Sequence, residues 1–308
     1  MSTGGSIQPR PSRNERREAA REKARLLREE QRKKERQKKF LIQGGVIVVV
    51  LAIAALIGTM IFNSVRPDGP GPQNMASDGI LLVGGEDGIE PVTTAAIPAN
   101  GEPTPTEPDD SGTVANIVVY VDYLCPYCGQ FEQTNSESMR TMVEEGAATL
   151  EVHPIAILTN KSAGTQYSLR AANAAACVAE ESPEAFFDFN ALMFENQPEE
   201  LTAGLSNGEI KELAAEAGAS SSVDECIDET RFKSWVEDAT NRALTQPIPN
   251  SELESVKGTP TVLVNGKQYV GSLEDPAEFR AFVLQAAGES YSESNGTPTP
   301  TPTPTPAG

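Results

Sequence analysis

The sequence predicts an α/β domain carrying an inserted helical block, preceded by a single transmembrane helix. Three observations carry this prediction. Residues 40–62 contain no charged side chain. Apolar, β-branched runs alternate with helix-periodic stretches in the order β–α–β, a helical section, then β–β–α. Stretches rich in Pro, Gly, Thr and Asp flank the folded unit on both sides.

Charge is very unevenly spread. Residues 1–39 hold 14 of the 25 Lys and Arg and 6 of the 44 Asp and Glu, a local balance of +8. From residue 63 onward 11 basic residues face 38 acidic ones, a balance of −27, so the overall −19 describes neither part. An acidic outer portion repels phosphates and excludes nucleic acid as its partner.

The adjoining apolar segment explains the basic tail. Phe40 to Phe62 is 23 uncharged residues, about 34 Å as a helix, which is enough to cross a hydrocarbon core of about 30 Å. Arg32 to Lys39 (RKKERQKK) precedes it, and Arg66 is the sole basic residue shortly after. The positive-inside rule then leaves the N-terminus in the cytoplasm and exports the rest. A cleaved signal peptide is the rival, but the run exceeds a usual h-region and no small-x-small site comes directly after it. The expected organisation is a basic cytoplasmic tail (1–39), a signal-anchor helix in the cell membrane (40–62), a disordered linker (63–112), a folded domain (113–289) and a Thr-Pro tail (290–308).

Within the linker, Ile80 to Val83 is a candidate short strand. In the folded domain, Ala115 to Val121 (ANIVVYV) suits a strand buried on both faces. Pro126 opens a helix expected to run to Glu145 and stop at Gly146, since Pro is well tolerated in a first turn. Thr149 to Leu158 reads as a second strand, with Pro154 favouring an edge or a bulge. Residues 160–247 hold the helical block, broken at Pro183, Pro198, Gly204 and Gly218. Thr261 to Val264 and Lys267 to Val270 flank Asn265-Gly266, a two-residue hairpin signal. Asp275-Pro276-Ala277-Glu278 starts the last helix, with Asp as cap, Pro in the first position and Glu reaching back.

The chemistry lies in Cys125-Pro126-Tyr127-Cys128. Cys125 falls where strand hands over to helix, facing the unpaired N–H groups and partial positive charge there. Those groups favour thiolate over thiol. The spacing of three puts Cys128 one turn on, on the same side. Cys125 is therefore the candidate attacking sulfur and Cys128 the resolving one, in a thiol–disulfide exchange that needs no metal and no cofactor. Half a zinc site is the rival, but zinc needs two further ligands and the chain offers one His (His153) and no second Cys-x-x-Cys. A simple structural disulfide across two residues makes a strained, reducible loop. Gly258-Thr259-Pro260-Thr261 is the second element: Pro260 either begins an edge strand or, with a cis bond, sits opposite the cysteines and frees Thr259 backbone groups to hold a substrate strand.

Asp122-Tyr123-Leu124-Cys125-Pro126-Tyr127-Cys128, with Gly258-Thr259-Pro260-Thr261 and then Val264-Asn265-Gly266, resembles the bacterial DsbA family of exported thioredoxin-fold proteins over about residues 113–289. The resemblance implies a thioredoxin-like fold with an inserted helical block and dithiol oxidation of exported proteins. It also implies re-oxidation by a quinone-linked membrane partner and Pro260 as the cis-proline. The chain departs from the pattern at one position. Thioredoxins and some DsbA relatives carry a buried acid six residues before the first cysteine, where this chain has Val119. Asp122 is the candidate replacement, against the reading of a solvated carboxylate near the helix.

Cys177 and Cys226 are either two buried free thiols or a structural disulfide, and export favours the disulfide. Some DsbA-like proteins hold a disulfide in this block, which supports the pairing by resemblance. His153 reads as a strand residue near a sheet edge rather than a catalyst, while Trp235, Phe186, Phe187 and Phe189 read as helical core. Three functions compete: a membrane-tethered dithiol oxidase, a reductase or isomerase of the same fold, and a non-catalytic anchored module that binds peptides or acts as a chaperone around Pro260.

Overall fold

The structure, a computed structural model, describes residues 69–295 except 87, 110 and 111, with a few positions near the N-terminus (21–23, 25, 32 and 33). The expected membrane helix Phe40–Phe62 lies outside the described residues, as do most of the basic tail and everything after residue 295. Among the described residues, no helix is long and apolar enough to cross a membrane.

Strand β3 (Ala115–Val121) lies inside a six-stranded sheet, paired with β4 (Ala148–Pro154) in parallel and with β5 (Thr261–Val264) in antiparallel fashion. Its alternate residues Ile117, Val119 and Val121 are buried on one face, while Tyr120 and Leu263 join a smaller cluster with Ile155, Ile248 and Val256 on the other. A continuous apolar run is what such a doubly covered strand requires. Strand β6 (Lys267–Gln268) completes the hairpin with β5 but is shorter than the expected Lys267–Val270.

β4 is an interior strand, not an edge, and it stops at Pro154 rather than Leu158. Proline is tolerated there for a local reason. The Ile155 N–H donates to the Val121 carbonyl, so the alternate residue Pro154 turns its nitrogen to the opposite side. On that side the neighbouring strand β1 (Ile80–Gly85) is no longer present, its register ending with Ile80 opposite Val152. His153, expected near an edge, is likewise buried in the sheet, stacked on Tyr120 with ring centroids 4.3 Å apart.

Residues 69–109, expected from composition to be disordered linker, are folded. β1 and β2 (Gly88–Pro91) form an antiparallel hairpin, and β1 adds to the sheet against β4. Met75, Ile80, Leu82 and Ile97 are buried. The Asp78 carboxylate takes two hydrogen bonds from Arg242, each 2.7 Å. Glu151 on β4 accepts from the hydroxyls of Ser77 and Thr106, and its Oε1 lies 3.3 Å from His153 Nε2. These contacts join residues far apart in sequence, so no local period announces them.

Helix α1 (Pro126–Glu144) packs on the sheet and ends on Gly146, whose φ of +69° suits glycine at that position. The helical block comprises α2 (Tyr167–Glu181), α3 (Phe186–Glu195), α4 (Asn207–Glu216), α5 (Ser222–Glu229) and α6 (Lys233–Thr245). Helix α2 is its centre, with Ala171, Ala172, Ala174, Ala175, Ala176 and Ala179 all buried, and small side chains let neighbouring helices approach closely. Phe186, Phe187, Phe189 and Trp235 are buried in the same core. Cys177 on α2 and Cys226 on α5 are joined as a disulfide, Cα atoms 5.7 Å apart.

Helix α7 (Pro276–Asn295) lays Phe279 edge-on against Phe131 of α1, centroids 5.1 Å apart. It runs through residues 290–295, which were expected to begin the tail. Asp275 caps it, accepting from Ala277 and Glu278 N–H at 2.9 and 3.3 Å. Glu278 does not reach back to Asp275 but accepts from the Ser272 N–H at 3.2 Å.

Candidate active site

Cys125 is the N-cap of α1, with an extended backbone (φ −74°, ψ 116°) and Pro126 in the first helical position. Its N–H donates to the Asp122 carbonyl at 2.9 Å, a tight turn that carries β3 into α1. Cys128 lies one turn on and is wholly buried, whereas Cys125 keeps 5% of its surface. Both thiols are free. Tyr127 between them is 61% exposed.

Across from this pair stands the loop before β5, in which the Thr259–Pro260 peptide is cis. Cys125 Sγ lies 3.1 Å from the Thr259 carbonyl oxygen. The Thr259 hydroxyl is buried without a partner of good geometry, close enough to favour thiolate at both sulfurs. Residues separated by 134 positions thus meet at one sulfur.

The two sulfurs differ sharply in electrostatics. The Cys125 thiol is pushed down to about 6. Hydrogen bonding from Cys128 is the main cause; burial opposes it, and the Thr259 side chain and the N–H groups of Cys128 and Tyr127 add to it. Burial, followed by the neighbouring Cys125, pushes the Cys128 thiol well up. The pair therefore favours a thiolate at the barely exposed Cys125 and a protonated thiol at the wholly buried Cys128, which is the division of labour that thiol–disulfide exchange needs.

Asp122 is fully buried rather than solvated. Its Oδ1 accepts from the Leu124 N–H at 2.9 Å and its Oδ2 from the Leu158 N–H at 2.8 Å. Burial raises its pKa, and these hydrogen bonds oppose the rise. The carboxylate thus ties the turn before Cys125 to the segment after β4.

The pattern in residues 110–284 decides the family, for that span matches the family described as Thioredoxin. The chain belongs to the thioredoxin family. Among solved structures, oxidised DsbA of Mycobacterium tuberculosis is 30% identical, with a TM-score of 0.50, covering 70% of this chain and 100% of that one. The reduced DsbG of the same organism is 34% identical over 59% of this chain and 86% of that one, with a TM-score of 0.47. Curated relatives match over shorter stretches. The Na(+)/H(+) antiporter NhaA 3 of Salinispora tropica is 30% identical over 162 residues, 50% of this chain and 21% of the antiporter. The serine/threonine-protein kinase PknE of Mycobacterium tuberculosis is 29% identical over 115 residues, 36% of this chain and 20% of the kinase. The chain therefore spans about a fifth of the length of the curated relatives it matches.

In this thioredoxin-family chain the structure brings together Cys125, Pro126, Tyr127, Cys128, Thr259 and Pro260, with Asp122 in the turn that leads into Cys125. Cys177 and Cys226 sit apart from them, in α2 and α5. A cleft of about 260 Å³, lined by Glu151 and His153 among others, opens on the sheet face that carries Tyr120, away from the cysteines.

Two functional candidates escape sequence reasoning. Glu132 is buried on α1, where burial lifts its carboxyl to about 7 and a hydrogen bond from Asn190 partly offsets the rise. Asn190 in turn accepts from the Tyr123 hydroxyl at 2.9 Å. The signal was available, since Cys128 and Glu132 are four apart and so share a helix face. Gln197 is the other. It lies just beyond α3 and donates to the Tyr123 and Cys125 carbonyls, and no sequence pattern points to it.

Proposed function

We propose that the protein is a membrane-tethered thiol–disulfide oxidoreductase that introduces disulfides into exported proteins through Cys125 and Cys128. The observation that carries the reading is the thiolate-favouring setting of Cys125, a barely exposed sulfur at a helix N-terminus that meets the Cys128 thiol and the N–H groups of Tyr127 and Cys128. Stabilising the reduced thiolate makes the corresponding disulfide a strong oxidant.

Starting from the Cys125–Cys128 disulfide, a substrate thiolate attacks Cys125 Sγ. A mixed disulfide forms, and Cys128 leaves and takes up a proton. A second substrate thiolate then attacks the substrate sulfur, and Cys125 departs as the thiolate. The substrate gains one disulfide while the Cys125–Cys128 pair gains two electrons. Thr259 and Pro260 border the sulfur where an extended substrate strand would lie. Re-oxidation falls to a quinone-linked membrane partner, as the DsbA resemblance implies. The tether is the uncharged run Phe40–Phe62, with the N-terminus in the cytoplasm and the domain outside.

A reductase or isomerase uses the same geometry in the opposite direction, and an anchored peptide-binding module uses the groove without turnover. Oxidative refolding of a reduced substrate protein tests the reading. Cys125→Ser should abolish it, and unchanged refolding would refute catalysis. A potential nearer to about −120 mV than to about −270 mV supports the oxidase, and a value near the latter sinks it. Alkylation of reductant-treated intact cells with a membrane-impermeant thiol reagent tests the topology: Cys125 protected in intact cells but labelled after lysis would overturn export.

A further inference from the structure

Gln197 reaches across from the helical block to the turn that presents Cys125. Its amide Nε2 donates to the Tyr123 carbonyl at 3.1 Å and to the Cys125 carbonyl at 2.9 Å. Both amide hydrogens are thereby used. The Cys125 carbonyl also accepts the Gly129 N–H, at 3.1 Å, so two donors fix the direction of that carbonyl.

Gly129 completes the arrangement. It lies buried in the first part of α1, where glycine is disfavoured relative to alanine. Its φ is not positive, so the backbone does not call for glycine. Space does: a Cβ at this position would lie 2.2 Å from Gln197 Oε1. An alanine here makes the amide oxygen shift and so disturbs the position from which the amide meets its two carbonyls.

We infer that Gln197, with Gly129 leaving room for it, is a positioning residue for Cys125, fixing the strand-to-helix turn and so the place of the Cys125 sulfur over the first turn of α1. The inference rests on the thiol–disulfide reading above and deepens it. Its physical content is simple. Cys125 has no side-chain cap hydrogen bond of its own, so Gln197 adds a side-chain donor to the local backbone bonds with Asp122 and Gly129. Without Gln197 the Cys125 carbonyl keeps only the Gly129 N–H and the Tyr123 carbonyl loses the Gln197 donor, so the turn loosens and the sulfur moves off the N–H groups of Tyr127 and Cys128. Thiolate stabilisation then falls, and the disulfide becomes less oxidising.

The test uses the full chain, reduced, with the pH dependence of Cys125 alkylation by iodoacetamide and the equilibrium with glutathione as readouts. Gln197→Leu keeps the bulk and removes both donors; the Cys125 pKa should rise by roughly one unit, with the potential moving in the reducing direction. Gly129→Ala should do the same although alanine favours the helix, so it decides the matter if the leucine variant does not fold. The double variant should shift no further than the larger single one, because both act through one contact. Unshifted titration in both variants overturns the inference. So does a loss of thermal stability without a change in pKa, or full additivity of the two shifts. A wild-type protein that exchanges no disulfides, yet whose Cys125 pKa still responds to Gln197→Leu, refutes the function while leaving the positioning role intact.

Discussion

Cys125 Sγ and the Thr259 carbonyl oxygen stand 3.1 Å apart, one at the start of the helix after β3 and the other in the loop before β5. The adjacency of β3 and β5 in the sheet brings them together. The sulfur is thereby placed between two sources of backbone polarity, a helix N-terminus and a carbonyl, and its protonation becomes the property through which the site is best probed.

Removing the thiol that donates to Cys125 should weaken its acidity. In Cys128→Ala the main cause of the lowered value is gone, so the Cys125 pKa should climb from about 6 toward the ordinary value of about 8.5. Thiolate ultraviolet absorbance measured against pH checks this. A titration superimposable on wild type would show that the helix N-terminus alone sets the acidity.

Glu132 should make the reduced protein less stable as pH rises. Its folded value, about 7, lies above the ordinary 4.5, so the folded state holds the proton longer than the unfolded chain. The stability associated with the protonated carboxyl is complete below about 4.5 and is lost as pH rises through about 7, about 3 kcal/mol in all. Urea unfolding of wild type and Glu132→Gln between those limits measures it: the glutamine variant should show a flatter profile and greater stability at pH 8.

Asp122 should matter as an acceptor. Asp122→Ala strands the Leu124 and Leu158 N–H groups, at a cost of about 3 kcal/mol for two buried donors. Asp122→Asn retains one acceptor oxygen and should lose less. Denaturant midpoints of the three proteins give the order, and equal losses in both variants would assign the effect to charge.

The Cys177–Cys226 bond closes a loop of 49 residues, so removing it with paired alanines should cost about 4 kcal/mol in the chain-entropy view. The rate of disulfide exchange at Cys125 should stay unchanged, because that bond joins α2 to α5 and not the turn before α1. Chemical unfolding and stopped-flow oxidation separate the two effects.

Local chemistry made much of this protein readable from its residues. The β-branched run Ala115–Val121, Pro126 opening α1, the Asn265-Gly266 hairpin and the Asp275 cap are all written in rules that act within a few positions. So is the meaning of two cysteines spaced by three at a strand-to-helix turn. What the tertiary structure decided lies elsewhere. The Pro- and Gly-rich segment before β3 became a hairpin because β4 offered a partner and the sheet buried Ile80 and Leu82. Asp122 became buried, Glu132 came to hold a proton near neutrality, and Gln197 reached the Cys125 carbonyl from about 70 residues away. Desolvation and long-range hydrogen bonds depend on which distant atoms replace water around a group. No pattern confined to neighbouring residues encodes that replacement.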